Sequence, residues 1–542
     1  MEKQFTYFEK IKDTWKLAFF ATFISGLIIH IFKFTNTLPN VDSLYNFYAD
    51  QNMVASGRWF LMIACGISSF FDLPWLIGFI SLMYIGVTSV LMVEIFRLTN
   101  PVIIILTSCL MVSFPSLTDI MLYEFTADGY MLAMLLAVMS VYVFRIEHTD
   151  HWLRAGLSAC CICLSCAIYQ AYVSFAMVTA ICYFMLELLD NRNSSKVYAK
   201  WIAMEALIYV CALAAYYVIW KLMLRMQAAA VGSYLGIDQL GKMNLAAMLA
   251  AVKQSVYSFG LFLLDRNIFQ HGLSTYSLIN ILIMVVGTAG VVCAVTKSGL
   301  YRRKGELLLF AVCILILPFC CSIWLFASPG VSYTPRMYQS IVVIYIFILV
   351  LFGRWVKSSL RSVMAFLLAL FVFNNAIIAN ICYSFTERCY QKTYATAVEM
   401  SMRIHLVDDG TAQNVVFVGL RRYWTEEDIL APGGASTLGP LRDSVKCSYI
   451  TGGHLIIPFL TQYTNYEMVY YSVNDLEMPN YKPSATSPVS GKWSMQFPTL
   501  DEDAVTALAA SDAVQEMGIW PAKDSVRQIG STIVIKLSEE NP

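Results

Sequence analysis

Two polar, aromatic-rich stretches stand out in this chain. "TLPNVDSLYNFYADQNMVASGRWF" at 37–60 sets Asp42, Asp50 and Arg58 among Tyr45, Tyr48 and Trp59. "TDIMLYEFTADGY" at 118–130 sets Asp119, Glu124 and Asp128 among Tyr123 and Tyr130. In a helical register Glu124 and Asp128 are i,i+4 neighbours, where two carboxylates repel. Such a pair calls for a nearby cation or for a change in the proton affinity of one member, and acids perturbed in that way favour functional sites. A third stretch, "SPGVSYTPRMY" at 328–338, adds Arg336 on a short loop. Taken singly, each acid is equally well read as part of a solvated loop. Loops of this kind converging on one side favour a site.

These residues hang on a chain built for lipid. Residues of the AVILMFWYC set make up 58% of 542, charged residues only 14%, and the mean hydropathy is +0.61. That composition excludes an ordinary soluble domain. Runs long enough to cross a hydrocarbon core of about 30 Å need roughly 20 apolar residues. Eleven are read, at 14–33, 73–96, 101–117, 129–146, 153–170, 172–189, 202–224, 276–296, 306–327, 338–353 and 361–382. The first runs on into the chain with no small-residue cleavage site after it, so it reads as an anchor. With the N-terminus inside, the inner segments hold 17 of the 25 Lys and Arg before position 383, among them Arg97, Arg145, Arg303 and Arg354. This is the bias of the positive-inside rule, and an odd number of spans sets the C-terminal region outside. "NLAAMLAAVKQSVYSFGLFLL" at 244–264 is apolar, but Lys253 and Gln254 at its middle favour an amphipathic helix lying at the interface. The polar stretches at 37–60, 118–130 and 328–338 then fall on the outer side.

From residue 383 the composition changes. The tail to 542 carries 12 basic and 19 acidic residues, a net of −7, and no further span. "VVFVGL" at 415–420 and "STIVIKL" at 531–537 read as strands, and 390–407 as a helix. The expected architecture is an all-α polytopic bundle over 1–382 with a small α/β domain over 383–542. Most of the 15 cysteines sit in apolar runs such as "CCICLSC" at 160–166, where thiols pack as small apolar groups. The six histidines show no zinc spacing, there is no P-loop lysine motif, and nothing is basic and aromatic enough for nucleic acid.

The first stretch, together with "YEFTADGYMLAMLLA" and "CAIYQAYVSF", resembles the bacterial serotype-converting type II glucosyltransferase membrane family, over roughly residues 12–385. The resemblance implies a glycosyltransferase of the GT-C type. Members move a sugar, typically glucose, from undecaprenyl phosphate to a cell-surface glycan outside the cytoplasmic membrane. They act beside a separate flippase and a separate donor synthase. Transfer with inversion needs a carboxylate to take the acceptor hydroxyl's proton, and Asp42 is the first choice, with Asp50 as alternate and Glu124 or Asp128 as orienting partners. Arg58 and Arg336 are expected to hold the donor phosphate through their planar forks, with Lys33 a weaker candidate. Tyr45, Tyr48, Trp59, Tyr123 and Tyr130 are candidates for stacking on sugar faces, or equally for an interfacial aromatic belt. Neither a metal nor another cofactor is expected.

Two other classes fit the same composition. A lipid-linked-sugar flippase or other transporter would show ionisable residues near mid-span. Glu205 and Lys221 are the candidates in the seventh span, and both lie near an end. A non-enzymatic scaffold for surface-glycan assembly would put its business in the outer domain.

Overall fold

The computed structural model describes residues 11–39, 50–68, 70–145, 150–191, 193, 195–232, 234–264, 273–419, 438–441, 456–457, 459–460, 468–473, 500 and 502–539. Two compact units are present. The first comprises Met1–Thr37, Gln51–Ile381 and Ser436–Arg442; the second comprises Leu38–Asp50, Cys382–Ala435 and Asp443–Pro542.

Among the described residues, twelve helices are long and apolar enough to cross a membrane. They are α1 (Asp13–Thr35), α2 (Pro74–Phe96), α3 (Pro101–Leu122), α4 (Glu124–Phe144), α5 (His151–Ile168), α6 (Tyr172–Asp190), α7 (Lys196–Met226), α8 (Leu245–Leu264), α9 (Thr275–Lys297), α10 (Lys304–Cys321), α11 (Pro335–Trp355) and α12 (Ser358–Val407). Helices are the natural choice because hydrocarbon offers backbone groups no partner outside the segment. Their ends carry the expected signals. Proline opens α2 and α3, and Asn100 caps α3 by accepting from the backbone of Val102 at 3.0 Å and Ile103 at 3.3 Å. Asn191 closes α6 in the left-handed conformation.

Helix α8 meets the length and apolarity of a span, so the candidates number twelve among the described residues where the sequence reading counted eleven. Arg303, just ahead of α10, donates to Asn191 Oδ1 at 2.6 Å and to Leu188 O at 2.9 Å, at the end of α6. The end of α9 and the start of α10 therefore lie level with the end of α6, and Thr275 and Cys321 lie at the opposite level. All the anchors of α8 are at that opposite level. Ahead of it, Gly241 N donates to Ala327 O, beyond α10, at 3.0 Å. At its middle, Ser322 Oγ bonds Ser255 Oγ at 2.7 Å. At its end, Phe262 O accepts from Tyr276 OH at 3.1 Å and Leu264 O from Ser277 Oγ at 2.5 Å. Helix α8 lies across one face of the bundle, with Lys253 and Gln254 exposed.

Close packing rests on small residues, as it must where lipid is as apolar as the side chains. Gly78 of α2 lies under the Phe34 ring of α1, so that a Cβ there would sit 2.3 Å from ring carbon. Gly86 of α2 lies under Phe19 in the same way, and Gly26 of α1 under Leu82. At the other level, arginines from distant segments gather on the carboxyl end of α6. Arg97 reaches Glu187 at 2.9 Å, and Arg354 reaches Asp190 at 3.2 Å. Cations there also complement the helix dipole.

Helix α12, at 50 residues, is about 75 Å long at 1.5 Å per residue and belongs to both units. The second unit holds a four-stranded sheet of β1 (Asn414–Val418), β2 (Val469–Ser472), β3 (Val526–Ile529) and β4 (Thr532–Lys536), in the order β2-β1-β4-β3. β1 runs parallel to β2 and β4, and β3 is antiparallel to β4. Val416, Val418, Tyr471 and Val534 form its core with Val505, Ala509 and Val514 of two short helices, α13 (Glu502–Ala509) and α14 (Asp512–Gln515).

Candidate active site

The polar residues of the tight helix joints collect at the level where α8 lies. Helices α3 and α4 are joined there by Tyr123 alone, and α5 and α6 by Tyr169, Gln170 and Ala171. Such tight joints hold side chains on rigid helix ends, which positions them better than a long loop would.

The segment 53–60 is fixed from several sides. Met53 and Arg58 form an antiparallel bridge, and Gly57 turns between them at φ +80°. Trp220 Nε1 donates to Val54 O at 2.7 Å, Gln170 Nε2 to Ser56 O at 2.9 Å, and Tyr216 OH to Gly57 O at 3.1 Å. A Cβ at position 57 would meet the Tyr216 hydroxyl, so glycine is required there for space as well as for its positive φ.

Arg58 is thereby presented to the tyrosines of the joints. Its Nη1 donates to Tyr130 OH at 3.0 Å, and its Cζ lies 5.0 Å from the Tyr169 ring centre. The Tyr130 and Tyr169 rings are themselves stacked, 4.2 Å apart and 9° from parallel. Arg336, at the start of α11, lies over the Tyr123 ring at 3.6 Å and has Asp119, Tyr169 and Tyr130 as electrostatic neighbours. Its backbone N–H donates to Asp119 Oδ2 at 2.8 Å. The two arginines thus lie on tyrosines at the two tight joints, Arg58 against Tyr130 and Tyr169 and Arg336 over Tyr123.

Three acids lie buried beside them, Asp119, Glu124 and Asp128. Glu124 Oε2 pairs with Lys33 Nζ at 2.8 Å, and both side chains are at most 3% exposed. Asp128 Oδ1 accepts from Gly129 N at 2.8 Å in the first turn of α4. Burial and the neighbouring Asp128 hold the Cys65 thiol well above its ordinary range, so it stays a protonated donor toward that carboxylate. Glu124 and Asp128, four residues apart, are thus served by different partners.

Trp59 packs against Tyr216, Trp220 and their neighbours on α5 and α7. Asp50 falls in the second unit, and Asp42, Tyr45 and Tyr48 lie outside the described residues. Among the described residues, no group of three or more His, Cys, Asp or Glu side chains forms a metal-holding set.

Beside Arg58 opens a pocket whose atom-free space, mouth included, is about 560 Å³. It is lined by Ser56, Tyr169, Gln170, Tyr216 and Trp324 together with the apolar Ile237, Leu240, Val331 and Met337. Trp324 Nε1 donates to Gln170 O at 2.7 Å and ties the segment after α10 to the α5–α6 joint. Sequence reasoning did not single out Tyr169, Gln170, Tyr216 or Trp324. The only signal was the polar Tyr-Gln pair interrupting two apolar runs in "CAIYQAYVSF".

Fold and site together define a polytopic helical membrane protein with a charged, tyrosine-lined centre at one end of its bundle. The family model for glucosyl transferase GtrII matches residues 31–353, and the chain belongs to that family. The match spans the first polar stretch, both tight joints and Arg336, and it gives the chain a glucosyltransferase role. No curated protein and no solved structure matches the chain significantly.

Proposed function

We propose that the chain transfers glucose from undecaprenyl phosphate to a surface glycan on the outer side of the bacterial cytoplasmic membrane. The observation that carries this reading is a pair of arginines from two distant segments on the tyrosines at the tight joints, Arg58 against Tyr130 and Tyr169 and Arg336 over Tyr123. A polyprenyl-phosphate sugar has a lipid stem, an anionic joint and a polar head. A site for it needs cations set at the membrane boundary, with carboxylates close by.

In this mechanism Arg58 and Arg336 hold the donor phosphate, with Lys33 contributing field from within its ion pair. Asp42 takes the proton of the acceptor hydroxyl as that oxygen bonds to the sugar's C1. The C1–O bond to phosphate breaks in the same step, and undecaprenyl phosphate leaves with an added negative charge that the guanidinium groups stabilise. Asp50 is the alternate base, and Glu124 and Asp128 orient the cations and the acceptor. Tyr45, Tyr48, Trp59, Tyr123 and Tyr130 offer faces to the sugars. With eleven crossings and the N-terminus in the cytoplasm, the site and the C-terminal domain both lie outside, where the donor arrives after a separate synthase and flippase have acted.

The test is transfer of radiolabelled glucose from undecaprenyl-phosphate glucose to isolated surface glycan by membranes containing the chain. Labelled glycan is the expected result. Membranes that leave all label on the lipid, with the protein present and folded, would overturn the reading.

A further inference from the structure

We propose that the pocket beside Arg58 receives the first isoprene units of the lipid donor, and that Leu240 and Val331 select for them. The inference rests on the polyprenyl-phosphate reading above and adds to it the part of the donor that the phosphate and sugar contacts leave unassigned. The pocket's polar groups are already committed to each other. Trp324 Nε1 is given to Gln170 O at 2.7 Å, Tyr216 OH to Gly57 O at 3.1 Å, Gln170 Nε2 to Ser56 O at 2.9 Å, and Ser328 Oγ to Gly236 O at 2.6 Å. What faces the space is therefore largely apolar, from aromatic and aliphatic side chains, with Arg58 the one charged residue of the lining. A sugar placed here would lose its water and find few partners for its hydroxyls, which disfavours it. A branched hydrocarbon gains by leaving water, and its terminal phosphate meets the cation.

The surroundings agree with this occupant. Ile237 and Leu240 of the lining stand a few residues ahead of α8 in the chain. There Leu245, Leu249 and Val256 are 77%, 63% and 52% exposed, apolar groups of the kind that lipid covers. A chain entering from the bilayer would keep apolar contact along its way to Arg58.

The experiment uses the full-length protein in nanodiscs, with glucosyl-phosphoryl-undecaprenol as donor, and compares wild type with Leu240→Gln and Val331→Trp. The first variant sets an amide against the isoprene and the second fills its space. Both should raise the donor KM at least tenfold, with kcat within threefold of wild type. Donor KM values within twofold of wild type in both, with transfer retained, would overturn the pocket assignment. As a readout independent of turnover, undecaprenyl phosphate should slow maleimide labelling of a Leu240→Cys variant at least fivefold, and no protection would overturn it too. Dioleoyl phosphatidic acid presents the same phosphate on an ordinary lipid stem. Inhibition by it as strong as by undecaprenyl phosphate would overturn the choice of an isoprenoid. A wild type that transfers no glucose from this donor would instead overturn the broader reading, and this pocket's role with it.

Discussion

Lys33 and Glu124 meet at 2.8 Å across two helices, with neither side chain more than 3% exposed. A buried pair of this kind contributes little net stability against an apolar pair of similar volume, but losing one partner strands a charge, at about 3–5 kcal/mol. Lys33→Met and Glu124→Leu should each lower the thermal midpoint of the detergent-purified protein sharply. The double variant should recover most of the loss. Additive losses in the double variant would show that the two residues are not coupled.

Arg58 and Arg336 should govern donor affinity. A charge-assisted hydrogen bond to phosphate is worth about 1.5–3 kcal/mol. Each Arg→Ala variant should therefore raise the donor KM by roughly ten- to a hundredfold. Arg→Lys at either position keeps the charge but loses the planar stacking on tyrosine, so it should recover only part of that affinity. Donor titrations with unchanged affinity in both alanine variants would remove the phosphate role.

Asp42→Asn should act on turnover. Loss of a general base costs about 10²–10⁴-fold in rate, while donor binding stays nearly intact. Asp50→Asn should lose less. Near-normal turnover of the Asp42→Asn protein would move the base to Asp50 or Glu124.

Two glycines should respond in opposite ways. At Gly78 a Cβ would lie 2.3 Å from the Phe34 ring, and Gly78→Val should destabilise the α1–α2 contact by about 1–3 kcal/mol. Gly156 in α5 has nothing within 4 Å of a built Cβ. Gly156→Ala should be neutral or stabilising by up to about 1 kcal/mol, since alanine is the better helix former. Thermal unfolding of the two variants side by side decides this.

The position of α8 is open to labelling. Cysteines at Lys242 and Thr275, flanking the helix, should react with an impermeant maleimide from the same side of sealed vesicles. Labelling from opposite sides would make α8 a crossing helix and would change the side of everything after it.

Much of the fold was legible because lipid leaves few choices. The spans show as length and apolarity, while α8 passes on both counts and was set apart in the sequence only by Lys253 and Gln254. The strands β1 and β4 showed as β-branched runs, whereas β2 and β3, at four residues each, are too short to carry a period. The site was legible only by residue type. The i,i+4 spacing of Glu124 and Asp128 called for a cation, but sequence could not name it, because Lys33 arrives from another helix. The pocket was hidden more deeply. Arg58, Gln170, Tyr216 and Trp324 lie far apart in the chain and become neighbours only when the bundle closes.

The arginine cluster on α6 sets an order of events during synthesis. Asp190 has Arg97 within 3.7 Å, and Arg97 precedes it in the chain. Its other arginine, Arg354, lies 164 residues later. At about 5–20 residues per second, Arg354 leaves the ribosome roughly 8–30 s after Asp190. For that interval the carboxyl end of α6 is held by the half of the bundle already made. Arg354 would thus meet an α6 end on which Glu187 and Asp190 outnumber the one arginine, Arg97, made before it.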